Sequence, residues 1–323
     1  MTVSVSVVVP TFNRNELLKC CLTHLFAQEY EPSSFEIIVV DDAQSRETRH
    51  LVESEGAKRR FPVLRYIPAT TSHGPAAARN YGWRAASGKI IAFTDDDCLP
   101  SPGWLKAGVA AFTDGVAGVS GKLFIPIPPV PTDYEYNASL LQYADFVTAN
   151  CFYLRDALTS VHGFDERFTA AWREDSDLFF RLLKEKRKMV CAPEAVVIHP
   201  VRSAPWGIGL KEHRKIMFNA LLYKKHPLLY RRYIQRCPPW HYYCIVCTSI
   251  LLPFSVFYDL RYMRIGLICI WVYMTGSFLL KRIWRTSRSL THIAEMVITS
   301  IAIPYFAVFW RVYGAIKFRV FFL

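Results

Sequence analysis

Acidic residues are nearly missing from the last third of this chain. Residues 211–323 hold three Asp or Glu against 17 Lys or Arg, whereas residues 1–210 hold 24 against 22. The net charge of +12 therefore belongs to the C-terminal third, which also carries the longest apolar runs. Bases that flank membrane-length apolar segments point to a bilayer with anionic lipid and away from nucleic acid. A disulfide framework is missing too. The nine Cys are odd in number and scattered, which favours a reducing compartment. Cys244 and Cys247 form a C-x-x-C inside a charge-free apolar stretch with no second ligand pair nearby, which argues against a metal or redox role. The start, MTVSVSVVVP, lacks the basic region and the apolar length of a signal peptide, so the first domain is expected to stay in the cytosol.

What is present is organised around Gly74 to Pro100, GPAAARNYGWRAASGKIIAFTDDDCLP. Ala76 to Ala86 is rich in helix formers, and Ser87-Gly88 is a stop signal. Ile90 to Phe93 is a short apolar run, the mark of a strand covered on both faces. It runs into Asp95, Asp96 and Asp97. Three adjacent carboxylates repel one another, and any that faced a dry core would cost several kcal/mol. Either all three face water in a helix-capping turn, or a divalent cation such as Mg²⁺ or Mn²⁺ offsets their charge through oxygen ligands.

The rest of the first 200 residues alternates strand and helix. Val3 to Val9 is a strand ended by Pro10, with Thr11 to Arg14 as its loop. Leu17, Leu18, Cys21, Leu22, Leu25 and Phe26 recur at helical spacing. Glu36 to Val40 is a second buried strand with Asp41-Asp42 at its end; a helix over Glu47 to Lys58 and a strand over Val63 to Ile67 follow. Such alternation predicts an α/β fold with an open, mostly parallel sheet. Ligands on such sheets bind outside the carboxyl ends of the strands, where Thr11/Asn13, Asp41/Asp42 and Asp95/Asp97 all fall.

PTFNR, VDDAQS, GPAAARNYGWRAASG and FTDDDCLP, followed by TANCFYLRDALTSVHGFDERF and WREDSDLFFRL, resemble in order and spacing the family 2 glycosyltransferases of the GT-A fold, over about residues 3–202. The resemblance implies a Rossmann-like mixed sheet, a nucleotide-sugar donor, a divalent metal (Mn²⁺ or Mg²⁺) and inversion at the anomeric carbon. Position by position it places Pro10, Thr11 and Asn13 in the nucleotide pocket and lets Asp41 accept a hydrogen bond from the base. Arg79 would approach the base or diphosphate. Asp95 and Asp97 stand at the family's Asp-x-Asp, Asp97 as the direct metal ligand and Asp95 nearer the ribose, with Asp96 between them on the donor side. Asp175, in a Glu-Asp motif with Glu174, would be the catalytic base. His199 is either a satisfied strand-end residue or, as in some family members, a further metal ligand. Arg202 would meet the diphosphate.

Elementary chemistry agrees with these roles. A departing nucleoside diphosphate develops negative charge that a metal neutralises, and inversion by direct displacement needs one base on the opposite face. Asp175 opens a helix, Glu174 to Lys186, anchored by Leu178, Phe179, Leu182 and Leu183. The same two acids would also complement the helix dipole without any catalytic role. Trp104 and Trp172 either floor a sugar site or pack in the core, and Gly163 reads as a turn residue with positive φ. PIPPVP, residues 126–131, is a rigid extended linker toward an acceptor-side loop.

From Leu210 the character changes. Leu210 to Arg236 is basic and amphipathic, as on interfacial helices, and is broken at His226-Pro227. Charge-free runs follow at 237–258 and 265–280, close to the ~20 residues that cross a bilayer, so spans are expected at about 239–258 and 264–281. A third run, 293–313, either spans or lies in the interface. The expected organisation is a catalytic domain over 1–205, interfacial helices over 206–238 and a membrane region over 239–323. The basic KRIWRTSR places the catalytic domain on the cytosolic face of the inner (cytoplasmic) membrane.

The function expected from this sequence is therefore metal-dependent, inverting sugar transfer from a nucleotide-sugar donor to a lipid-linked or membrane-proximal glycan acceptor, with membrane lipids as further partners. A sugar nucleotidyltransferase would carry a Gly-rich, Arg- or Lys-bearing loop where PTFNR stands, and a processive synthase a Gln-x-x-Arg-Trp that is missing here. A non-catalytic scaffold of the same fold is the other alternative; the intact acids at 95, 97 and 175 speak against it.

Overall fold

The computed structural model describes residues 3–322. They form two compact units: the chain up to Pro126 together with Leu140–Val201, and Ile127–Ser139 together with the chain from Arg202 on. The segment 127–139, expected within the catalytic domain, thus belongs with the C-terminal helices.

In the first unit β1 (Val5–Thr11), α1 (Asn15–Phe26), β2 (Phe35–Asp41), α2 (Arg46–Ala57), β3 (Val63–Pro68), α3 (Pro75–Ala85) and β4 (Ile90–Phe93) build a parallel half-sheet. Then come β5 (Leu99–Pro100), α4 (Trp104–Ala110) and β6 (Val116–Phe124). After α5 (Asp133–Ser139), which is part of the second unit, β7 (Cys151–Leu154), α6 (Arg155–Ser160), α7 (Glu174–Lys184) and β8 (Lys188–Ile198) complete the sheet. Its order is β3-β2-β1-β4-β7-β6-β8-β5, with β7 antiparallel to both neighbours and β5 antiparallel to β8. This is the mixed sheet anticipated for the fold class.

β1 is covered on both faces, and Val5, Val7, Val8 and Val9 are fully buried. It lies between β2 and β4. The chain builds outward through β2 and β3 on one side and restarts at β4 on the other, so the switch in strand order falls at the carboxyl end of β1, where open α/β sheets take their ligands. β1 runs through Pro10 instead of stopping there. Val8 O accepts from Thr94 N and Thr11 O from Asp42 N, so alternate residues face alternate neighbours and Pro10 faces β4. The β4 ladder ends at Val8, so the N–H that Pro10 lacks has no partner to lose.

The second unit holds α5, α8 (Ile208–Glu212), α9 (Met217–Lys225), α10 (Pro227–Tyr233), α11 (Trp240–Phe257), α12 (Arg261–Ile283) and α13 (Leu290–Lys317). Pro227 separates α9 from α10 as anticipated. Pro253 and Pro304 are accommodated inside α11 and α13. The segment 127–139 joins this unit through specific partners. Asp133 pairs with Arg282 at 2.9 Å, Arg285 Nη1 donates to Tyr136 Oη at 3.0 Å, and Ser287 N donates to Pro131 O at 2.7 Å.

Candidate active site

The register of β1 on β2 sets Thr11 beside Asp41, and β4 ends level with Val8, which brings Asp95 to Asp97 up to the same edge. The three acids have distinct surroundings. Asp96 is 2% exposed and accepts from Thr11 Oγ1 at 2.7 Å and Arg14 Nη1 at 3.1 Å. Burial pushes its carboxyl up to about 6, against the opposing pull of the Thr11 hydrogen bond and the Arg14 charge. Both Asp96 oxygens are thus engaged by protein donors, and the residue ties the loop after β4 to the loop after β1. Asp95 is more open and accepts from Arg79 Nη2 at 2.8 Å.

Arg79 is the hub. Its guanidinium is buried, and its other terminal nitrogen donates to Glu174 Oε1 at 2.9 Å. Burial works against its charge, but Asp95 and Glu174 outweigh that and hold it firmly protonated. Both terminal nitrogens of Arg79, expected near the base or diphosphate, are thus committed to carboxylates.

Asp41 is wholly buried. It accepts from Ala43 N at 3.0 Å, Ser45 N at 2.7 Å and Tyr66 Oη at 3.0 Å, the pattern of an acid that orders its own turn. Burial and this carboxylate push the Tyr66 phenol up to about 12. Asp42 reaches the next loop and accepts from Gly74 N at 2.8 Å and His73 Nδ1 at 2.9 Å. Asn13, two residues after β1's Thr11, is exposed in a left-handed conformation, φ 52°.

His199 and Asp97 meet through the sheet. β5 pairs Leu99 with Ile198, so the residues just outside that pair come together, and His199 Nε2 lies 3.6 Å from Asp97 Oδ1. The Cys98 thiol is the third potential ligand, all three donor atoms lying within 4.8 Å of one another. The buried carboxylate suits Mn²⁺ or Mg²⁺ and the imidazole is acceptable to Mn²⁺, whereas the Cys98 thiol, pushed up by burial and so kept protonated, is a ligand for neither. Asp97 and His199 fit the metal that the resemblance implies.

Arg173 sits in the left-handed region at φ 77° immediately before α7, an uncommon place for a non-glycine residue. Glu174 is 3% exposed, and its Oε2 is buried without a hydrogen-bond partner. Asp175 is half-buried and accepts from Ser176 N at 2.6 Å. Loss of water raises both carboxyls; Asp175 adds to the rise at Glu174, and Arg79 opposes it at each. Raised carboxyls at a helix start are what a general base near neutral pH requires.

Two further residues matter that the motifs did not single out. Asn80, next to Arg79 on α3, donates to Phe164 O at 2.9 Å and accepts from Phe164 N at 2.9 Å and Trp83 Nε1 at 2.8 Å. It fixes the turn at Gly163, whose φ is 70° and where an added Cβ would stand 2.5 Å from Asn80 Oδ1. The signal was present in the sequence: Asn is a poor helix former and needs a reason to sit in mid-helix. Arg14, which holds Asp96, is the second. Of the two tryptophans left open, Trp104 is core, wholly buried with its Nε1 bonded to Asn150 Oδ1 at 2.8 Å. Trp172 is 36% exposed, with the Arg173 guanidinium 4.5 Å from its ring centre. Arg202 falls in the second unit.

Comparison with known proteins bears on the family and the fold. Residues 6–161 match the family described as Glycosyl transferase family 2, and residues 90–312 match Glycosyl transferase family group 2. Glycosyltransferase AglE of Haloferax volcanii is 28% identical over 222 residues, covering 66% of this chain and 71% of that protein. The pre-mycofactocin glycosyltransferase of Mycobacterium tuberculosis is 29% identical over 220 residues, covering 62% of this chain and 43% of its own length. Among solved structures, the mannosyltransferase PcManGT from Pyrobaculum calidifontis, in complex with GDP-Man and Mn²⁺, aligns with a TM-score of 0.58 at 18% identity, over 99% of this chain and 88% of that one. At that identity the likeness speaks for the fold alone.

Proposed function

This chain belongs to the family 2 glycosyltransferases, and on that premise we propose that it moves a sugar, with inversion, from a nucleotide-sugar donor to a lipid-linked or membrane-proximal glycan acceptor at the cytosolic membrane face. The observation that carries the reading is the bridge Asp95–Arg79–Glu174, because it joins the donor-side acids to the start of the helix that bears the proposed base.

Pro10, Thr11, Asn13 and Asp41 shape the nucleotide side, Asp41 by holding its turn in place. Asp96 keeps Thr11 and Arg14 in register with the acid loop. Asp97 and His199, with Asp95 nearby, would hold Mn²⁺ or Mg²⁺. When bound, the metal supplies positive charge to the departing diphosphate. Asp175 takes the acceptor hydroxyl proton as the acceptor oxygen bonds to the anomeric carbon and the bond to the diphosphate breaks. Glu174, fixed by Arg79, keeps the first turn of α7 in place. Trp172, exposed next to Arg173, is the aromatic surface offered to an acceptor sugar. AglE, named as a glycosyltransferase, supports the reaction class. The three long apolar helices support membrane association.

The test is donor turnover by the full chain in detergent, with GDP- and UDP-sugars, with and without Mn²⁺, beside Asp175→Asn. Metal-dependent release of nucleoside diphosphate that the variant loses is expected. Release of pyrophosphate would instead identify a nucleotidyltransferase, and no turnover with any donor a scaffold.

A further inference from the structure

Helices α11, α12 and α13 are each long and apolar enough to cross a membrane. Their contacts suit only two of them to it. α11 and α12 form an antiparallel hairpin: the rings of His241 and Tyr242, at the start of α11, lie 5.7 and 5.4 Å from Phe278, near the end of α12. The entrance and the exit of this hairpin are therefore level.

Two well-separated points of α13 are tied to that same level. Toward its start, Thr299 and Ser300 accept from Arg282 Nη1, in the last turn of α12, at 2.8 and 2.9 Å. Some three turns later, about 18 Å along a helix axis, Arg311 Nη1 donates to Gln235 Oε1, just before α11, at 3.0 Å. A helix crossing the ~30 Å hydrocarbon layer would carry those two points to different depths.

The polar stretch before α11 gives a second, independent argument, because it runs alongside α13 in the same direction. Gly207 N donates to Glu295 Oε1 at 2.7 Å, a Cβ on Gly314 would stand 2.5 Å from Met217 O, and Lys224 Nζ donates to Phe318 O at 2.8 Å. If α13 crossed the bilayer, this stretch would cross with it and carry Lys211, Arg214 and Lys215 into hydrocarbon, where each charge is costly.

The faces of α13 complete the picture. Ile298, Ile301, Phe309, Val312 and Ile316 recur at helical spacing and are exposed by 52, 41, 57, 41 and 72%. Met296, Ile303, Ala307 and Gly314 on the opposite side are buried. One apolar stripe on a helix whose end is held by an exposed base, Lys224, is the pattern of a helix lying in a membrane interface, and the exposed bases of the segment before α11 (Lys224, Arg231, Arg232, Arg236) complement anionic headgroups.

We propose that α13 lies along the surface of an anionic lipid leaflet with this stripe in the headgroup boundary, that only the α11–α12 hairpin crosses, and that the residues following α13 return to the face from which α11 enters. The inference rests on the membrane association proposed above. The experiment uses the full chain with one protease-cleavable tag at a time, placed before Val3, in the α11–α12 turn at Asp259, or after α13, in sealed inverted and right-side-out vesicles. Expected is loss of the first and third tags together from one vesicle orientation, and of the Asp259 tag from the other. If the third tag is cleaved with the Asp259 tag, α13 crosses and the inference fails while the anchor stands. If all three are cleaved from one side, the hairpin reading fails, and α13 as a surface helix stands.

Discussion

Arg79 and Glu174, 95 positions apart in sequence, form a buried ion pair at 2.9 Å, and the same guanidinium holds Asp95 at 2.8 Å. A helix that precedes the acid loop thereby reaches the helix start that follows the acceptor segment. The bond has a mechanical meaning. Neither the acid loop nor the first turn of α7 can shift without straining the other.

Removing the hub is expected to be severe. Arg79→Met leaves Glu174 buried and uncompensated, and breaking a buried pair this way costs about 3–5 kcal/mol. The double variant Arg79→Met/Glu174→Gln removes both charges and should recover a good part of that stability without recovering turnover. Thermal unfolding of both variants beside single-turnover transfer checks it. Equal stability in the single and double variants would refute the pairing as an energetic unit.

Asp175→Asn keeps size and loses the ability to take a proton. General-base help is worth about 10²–10⁴-fold, so turnover should fall by that order with donor and metal affinity nearly intact. Calorimetric donor binding next to transfer rates decides. Matching losses in both would move Asp175 to the donor site.

Asp97→Asn and His199→Ala should each weaken Mn²⁺-dependent nucleotide binding, the first more because it removes a charged ligand. Titration of Mn²⁺ against nucleotide affinity is the measurement. Unchanged Mn²⁺ dependence in Asp97→Asn would exclude this acid as the metal ligand.

The pH response follows from burial. A base must be ionised to work, and Asp175 is raised above the ordinary carboxylate value of about 4, so the acid limb of the rate profile should lie above pH 4. Stability has the opposite sense. The unfolded carboxyl of Glu174 releases its proton near pH 4 and the folded one higher, so the folded state binds more protons across that window and stability is lost as pH climbs through it. Unfolding midpoints measured on both sides of the window would show the decline, and a midpoint that rises with pH in wild type but not in Glu174→Gln would contradict it.

Gly163→Ala should disrupt the acceptor segment. The position combines φ of 70° with a Cβ that would sit 2.5 Å from Asn80 Oδ1 and Trp83 Nε1. Left-handed strain and overpacking each cost about 1–3 kcal/mol. A loss of at least about 2 kcal/mol by chemical denaturation is expected; less than half of that would mean the turn adapts.

Much of this was legible from local signals. The strands before Pro10, Asp41 and Asp95 announced themselves by apolar runs followed by polar residues, and Pro227 announced a helix break. The assembly was not legible where distant segments decide it. Nothing in the sequence near His199 says that β5 will pair with β8 and bring Asp97 to it. Pro10 reads as a strand end until the shortness of β4 is known. Asp133 reads as part of a catalytic-domain loop, because its partner Arg282 lies 149 positions away.

That separation also sets an order of events during synthesis. Ile127–Ser139 emerges from the ribosome long before Arg282, Arg285 and Ser287, the residues that receive it. At 5–20 residues per second the wait is about 7–30 s. Over that interval the strands on either side are free to pair while the segment between them hangs as an open loop. A nascent chain stalled before Arg282 would expose it to proteases, and a full-length one would not.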